Sequence, residues 1–290
     1  MLSKCYGWLC FLLITCWQSV AAPPARVVTY SWPKSMQTDK RGDYPVALLH
    51  LALEKSSTNI VAKPSNYVMS QFRTLKQLEL NQGIDVVWTM TNPEREEQLH
   101  AIRIPMDRGL IGYRLLVIND EDSERFETLP HAANLKQMLT VQGLDWPDFT
   151  ILQANGFQLT SSNNFDGMYP MLLKKRVKFF PRSITEVWPE LDLHQGQGLI
   201  VSPRWALHYP AALYFFVRHR DTELAAAIER GLETALKDGS FKALFLEHFQ
   251  EAITKADLKN RHIVELTNPT LPLRTPLQRP ELWFNAKQGF

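Results

Sequence analysis

Cysteine is nearly absent: the 290 residues hold three, and all of them, Cys5, Cys10 and Cys16, fall at the very start of the chain. No disulfide can staple what lies downstream. Long apolar runs are missing too, since the stretch from Leu9 to Trp17 reaches only about half of the roughly 20 residues that a membrane-crossing helix needs. Charge of one sign is not in excess. The 32 Lys plus Arg face 30 Asp plus Glu, a net of +2, which excludes a global field that would draw the chain to nucleic acid or to an anionic membrane. Metal-ligand and nucleophile patterns are also lacking: the eight histidines are scattered, none pairs at i,i+4 with a second ligand, and no nucleophile-elbow or phosphate-loop pattern occurs. No cofactor or metal is expected, and a lone histidine such as His208 reads as a packing residue.

What is present begins with an export pattern. Lys4 precedes the Leu9 to Trp17 run, and Gln18, Ser19, Val20, Ala21 and Ala22 follow it. A positive start, a short apolar middle and small residues at the end form a secretory signal peptide over residues 1–21, with cleavage after Ala21. A lipid-attached Cys16 ranks second, because Thr15 is larger than the residue such sites usually carry there. The mature chain is therefore expected in the periplasm and without disulfides. With 45% hydrophobic residues and 21% charged ones, it has material for one large domain or two moderate ones.

Short β-rich runs alternate with helical ones. Arg26 to Tyr30 and Asp85 to Thr89 read as strands, Tyr44 to Lys55 and Met69 to Leu80 as helices, with Phe72, Leu75 and Leu78 as the packing face of the second and Gly83 closing it. Asn92-Pro93 starts a short helix, Tyr113 to Ile118 is a strand, and the acidic Asn119 to Glu124 is a solvated loop. Further along come a strand at Leu139 to Val141, helices from Pro147 and from Asp166, and a strand at Val177 to Phe180. The tail from Asp221 is helical with a break at Asp238-Gly239, then Pro-rich from Pro269 to Pro280. This alternation predicts an α/β fold on a largely parallel sheet.

Three stretches, in this order and spacing, resemble the periplasmic solute-binding proteins of the type 2 fold, in particular the branch that captures polar amino acids. They are Leu78 to Pro105, with Thr89-Met90-Thr91-Asn92-Pro93-Glu94-Arg95 at its centre; Leu135 to Trp146, a strand ending in a glycine turn; and Asp238-Gly239-Ser240-Phe241 to Phe249. The resemblance implies two lobes with a hinge of two crossover strands, lobe 1 from residues 26–106 and 203–290, lobe 2 from 107–202, and crossovers near Met106 to Gly112 and Leu199 to Trp205. It also implies a monomer that closes on a small-molecule ligand and hands it to an inner-membrane transporter permease or reports it to a sensor protein.

Site residues follow from the resemblance. Arg95 matches the family's carboxylate-gripping arginine, a rigid fork of donors suited to two carboxylate oxygens; the competing reading pairs it with Glu94, Glu96 or Glu97 on a helix surface. Thr91 and Trp88, with Tyr30 and Trp32, end strands that face the cleft, although core packing is the commoner fate of a single aromatic. Trp146 lies in the turn before the helix at Pro147, whose start could offer N–H groups to an anion, and Asp145 reads as its cap. At Ser183 the family's amino-acid binders carry an acid and this chain does not, while Arg182 adds a cation, so the ligand is expected to be small, polar and anionic. Ser183 to Glu186 reads as a capping box; the alternatives are an enzyme resembling cyclohexadienyl dehydratase with Glu186 as its acid, or a non-binding relative kept for protein contacts.

Overall fold

The structure, a computed structural model, describes residues 24–32 and 42–286, without the side chains of Trp32 and Val68. The expected signal peptide and its three cysteines lie outside the described residues. The strands are β1 (Arg26–Trp32), β2 (Ile60–Val68), β3 (Val86–Met90), β4 (His100–Ile102), β5 (Tyr113–Asn119), β6 (Thr140–Gly143), β7 (Leu159–Ser162), β8 (Phe180–Ser183), β9 (Leu199–His208), β10 (Leu213–Val217) and β11 (His262–Glu265). The helices are α1 (Asp43–Lys55), α2 (Gln71–Glu79), α3 (Pro93–Gln98), α4 (Ser123–Thr128), α5 (Ala132–Lys136), α6 (Pro147–Ala154), α7 (Met168–Leu173), α8 (Val187–Asp192), α9 (Thr222–Asp238) and α10 (Ser240–Ala256).

Two sheets define two lobes. In the first the order is β2-β1-β3-β10-β4, with β1 parallel to its neighbours and β10 antiparallel to both of its own. The second is β11-β9-β5-β8, and β6-β7 adjoins it through a parallel bridge between Thr140 and Phe179. The expected largely parallel sheet holds for β2-β1-β3 and for the pairs β6-β7 and β9-β11, while β10 and β5 pair antiparallel with both of their neighbours. The reason is that β10 and β5 each arrive by a short link from the other lobe, not by a helical crossover, and a strand so delivered enters antiparallel.

The first link between the two sheets runs through residues 103–112, from β4 to β5. The second lies later than expected: Leu199 to His208 is one strand paired along β5, so the return runs through residues 209–212. The assignment of everything after residue 202 to lobe 1 also changes, because β11 pairs with β9 in the second sheet. At the first crossing, Arg108 and Gly109 are both left-handed, with φ of 52° and 77°. A Cβ on Gly112 would stand 2.2 Å from the carbonyl oxygen of Tyr209, so only glycine lets the two crossing segments touch. The Pro-rich tail lies over the same place, with Phe284 N–H donating to the Arg108 carbonyl at 2.7 Å and the Trp283 ring lying against Gly109.

Local signals explain most helices. Asn92 caps α3, accepting from Arg95 N–H at 2.8 Å, and Pro93 stands at its first position, where its missing donor costs nothing. Gly239, at φ 82°, ends α9 and starts α10. In α2 the expected packing face is shifted: Thr74 and Leu78 are buried while Phe72 is 69% exposed. Phe72 stands two residues before Thr74, about 160° around the helix, and so points away from the sheet.

Helices α1 and α9 pack at backbone contact, since a Cβ on Gly231 would lie 1.7 Å from the Ala52 carbonyl oxygen. Gly231→Ala gains about 1 kcal/mol of helix propensity, but the helices must separate by more than an ångström to admit it, and overpacking of that kind costs about 3 kcal/mol or less. A net loss of about 2 kcal/mol is expected in urea unfolding, and a variant more stable than the parent would contradict this packing.

Candidate functional site

Strand β3 and the α3 cap position Arg95. The turn Thr91-Asn92 fixes the first residues of α3, and the Arg95 side chain folds back, 7% exposed, against the end of β3. Its Nη1 donates to Thr89 Oγ1 at 2.9 Å and to the Met90 carbonyl at 2.6 Å. Its Nη2 donates to Gln71 Oε1 at 3.0 Å and, across to lobe 2, to the Asp145 carbonyl at 3.4 Å. All four acceptors are neutral. Among the described residues no carboxylate is within ion-pair distance, and burial pulls the guanidinium below its ordinary value, with Asp145 and Asp148 opposing from a distance. The surface-pairing alternative is not what forms: Glu96 binds Arg103 at 2.5 Å and accepts from Thr91 Oγ1 at 2.8 Å.

The aromatic residues distribute differently from the expectation. Tyr30 is buried against His50 of α1, centroids 6.3 Å apart, and Trp88 lies between Tyr30 and Phe215 at 6.1 and 6.5 Å. Tyr30 is therefore a packing residue of lobe 1. Trp32 ends β1, and its side chain lies outside what the structure describes. Trp146 covers Gly143 and lies 5.1 Å from the Arg182 guanidinium. Thr91 is buried, with its hydroxyl already given to Glu96.

In lobe 2, Arg182 is 2% exposed and bound bidentately by Glu190, both contacts at 2.6 Å, with Glu186 3.1 Å away. Burial pulls this guanidinium down, and Glu186 and Glu190 outweigh it, so it stays well above its ordinary value. Its charge is thus consumed inside the lobe, which corrects the picture of two free cations facing one ligand. Ser183 is fully buried, hydrogen bonded to Thr185 at 2.9 Å and donating to the Leu110 carbonyl at 3.3 Å. The capping box does not form: Glu186 occupies the cap position of α8 itself, and its carboxylate faces Arg114 at 3.4 Å and Arg182.

Nor is the start of α6 open to an anion. Pro147 contributes no N–H, and the Asp148 carboxylate, 5% exposed, pairs with Arg114 Nη2 at 2.6 Å and accepts from the Tyr209 hydroxyl. The cap position of α6 is Trp146, not Asp145, and no side chain caps it; the Asp145 carbonyl accepts from Arg95. Arg114, Asp148, Tyr209, Glu190 and Gln71 are partners of the candidate side chains that the sequence did not single out. Arg114 left the clearest trace, a cation inside the apolar run from Tyr113 to Ile118. His208 packs as expected, stacked on Tyr113 at 4.0 Å and bonded to Glu265 at 2.6 Å.

Asp107, at the first crossing, is 1% exposed, and burial pushes its carboxyl up to about 7 although the Ile111 and Gly109 amides donate to it at 2.7 and 3.1 Å. A carboxyl raised in the folded state binds more protons folded than unfolded between about pH 4 and pH 7, so its contribution to stability falls as pH rises through that window. Asp107→Asn should flatten that part of the pH dependence of the urea midpoint; an identical slope in the two proteins would contradict the assignment.

Among the described residues no three His, Cys, Asp or Glu side chains gather as a metal site, and no helix is long and apolar enough to cross a membrane. The two lobes and the double crossing between them are those of the type 2 periplasmic binding protein fold. Solved structures with this fold include an ancestral arginine-binding protein bound to arginine (18% identity, TM-score 0.57, 78% of this chain and 98% of that one). The periplasmic VFT2 domain of BvgS from Bordetella pertussis is also similar (15% identity, TM-score 0.59, 77% and 93%). So is a histidine kinase sensor domain described as similar to periplasmic binding proteins (14% identity, TM-score 0.57, 77% and 96%). No protein-family model matches the sequence, and no curated protein matches it.

Proposed function

We propose that this chain is a periplasmic solute-binding protein that captures a small polar ligand between its lobes through a carboxylate held by Arg95. The supporting observation is the state of that side chain: a nearly buried cation, at the lobe interface, with four neutral acceptors and no described counter-ion. A buried charge without a partner is costly, and a ligand carboxylate displacing Gln71 and the Asp145 carbonyl would supply one. With Arg182 neutralised by Glu190, a single carboxylate is what the site asks for; a dianion is not required. Export, closure of the lobes and transfer to a transporter permease or sensor belong to the same reading. An enzyme with Glu186 as acid fits poorly, because its carboxylate is already engaged with Arg114 at 3.4 Å and Arg182 at 3.1 Å inside lobe 2.

The test is a thermal-shift screen of the mature chain against amino acids, dicarboxylates and their amides. Carboxylated compounds should raise the melting temperature and their amides should not; no shift with any carboxylate would contradict the reading. One observation favours a second reading, a relative kept for protein contacts: the protein's own Gln71 and Asp145 already satisfy Arg95 Nη2. A silent screen with the lobes closed in small-angle scattering would support that reading.

A further inference from the structure

Lobe 1 also has a cavity of about 570 Å³ on its flank, between the edge strand β2 and helix α2. This is within the roughly 300–1,000 Å³ range of small-molecule sites. None of its twelve lining residues is acidic and two, Lys63 and Arg73, are cations. Neither has a described carboxylate within ion-pair distance. Other cations on the same lobe do: Lys76 pairs with Glu79 at 2.8 Å, Arg26 with Asp221 at 2.6 Å and Arg218 with Asp85 at 2.8 Å. Exposed Arg220, Arg230, Lys237 and Lys242 likewise have no described ion pair; what sets Lys63 and Arg73 apart is that they share one concavity with no acidic residue in its lining.

The remaining lining suits a small polar molecule. Gln77 donates to Gln82 at 3.0 Å, so the two amides hold each other in place, and the Tyr67 ring, 74% exposed, offers an apolar wall. A partner strand adding to β2 is the poorer occupant, because Pro64 lies in the cavity wall and removes a backbone donor from that edge. None of the side chains or carbonyls that hold Arg95 lines this space. We propose that the groove between β2 and α2 is a second binding site, separate from the interlobe cleft, for a small multivalent anion carrying carboxylate or phosphate groups, gripped between Lys63 and Arg73.

Citrate and inorganic phosphate are the probes, titrated calorimetrically into the mature chain and into Lys63→Gln, Arg73→Gln and Arg95→Gln. Both lining cations are exposed, so unchanged melting temperatures are expected. At least one probe should bind the parent, at least about tenfold more weakly in each of the first two variants and equally in Arg95→Gln, with amide shifts at Gln82 and Gly83 in NMR spectra. Citrate alone would assign carboxylates, phosphate alone phosphates. Failure of both probes to bind, binding that survives Lys63→Gln and Arg73→Gln combined, or binding lost only in Arg95→Gln would each overturn the proposal.

Discussion

Glu190→Ala should destabilise the fold by about 3–5 kcal/mol, the range for removing one partner of a buried ion pair. Glu190 is 1% exposed, binds Arg182 through both oxygens and accepts from the Tyr169 hydroxyl at 2.7 Å. Its loss leaves a guanidinium in a box of Trp146, Phe165 and Phe180 with, among the described residues, the partly exposed Glu186 as its remaining ion-pair partner. The aromatic faces, worth about 2 kcal/mol or more when desolvated, contact Arg182 in the parent as in the variant and so offset little of the loss. Urea unfolding measures the loss. Removing both partners, as Arg182→Met with Glu190→Leu, should recover most of it, because the cost lies in the unpaired charge; a single-variant loss under about 1 kcal/mol, the scale of an exposed pair, would contradict the buried-pair account.

The second large effect is expected at Asp148. Asp148→Asn keeps the shape but removes the charge that faces Arg114, 2% exposed, at 2.6 Å. Burial pulls the Arg114 guanidinium down, and Asp148, Tyr209 and Glu186 together hold it above its ordinary value, so the variant should lose about 2–3 kcal/mol. The same carboxylate also opposes the burial of Arg95. Its removal should therefore tighten binding of any carboxylated ligand at Arg95 while the fold weakens. Stability and affinity moving in opposite directions is a signature that simple damage to the site would not give; a loss of both would count against the electrostatic link between the lobes.

Where an element is set by neighbours in sequence, the residues announced it. Asn92-Pro93 start α3, Gly239 divides α9 from α10, and the apolar run at Tyr113 gives β5. What was not legible is which partner each charge meets. Arg182 reads as a free cation beside Ser183, yet the α8 turn brings Glu190 onto it. Ser183 to Glu186 has the spacing of a capping box, and Glu186 instead turns towards two guanidiniums contributed by β5 and β8. The start of α6 reads as an anion site until Asp148 is seen occupied with Arg114 from a strand more than thirty positions earlier. Spacing shows that a charge exists; only tertiary packing shows whether it has already been neutralised, and at Arg95 it has not.

The most direct measurement is calorimetric titration of the best carboxylated ligand into the mature chain and into Arg95→Gln. The account predicts at least a hundredfold weaker binding in the variant, about 2.7 kcal/mol or more, with a melting temperature no lower than the parent's by more than a few degrees. Equal affinity in the two proteins would mean that the guanidinium between the lobes does not hold the ligand.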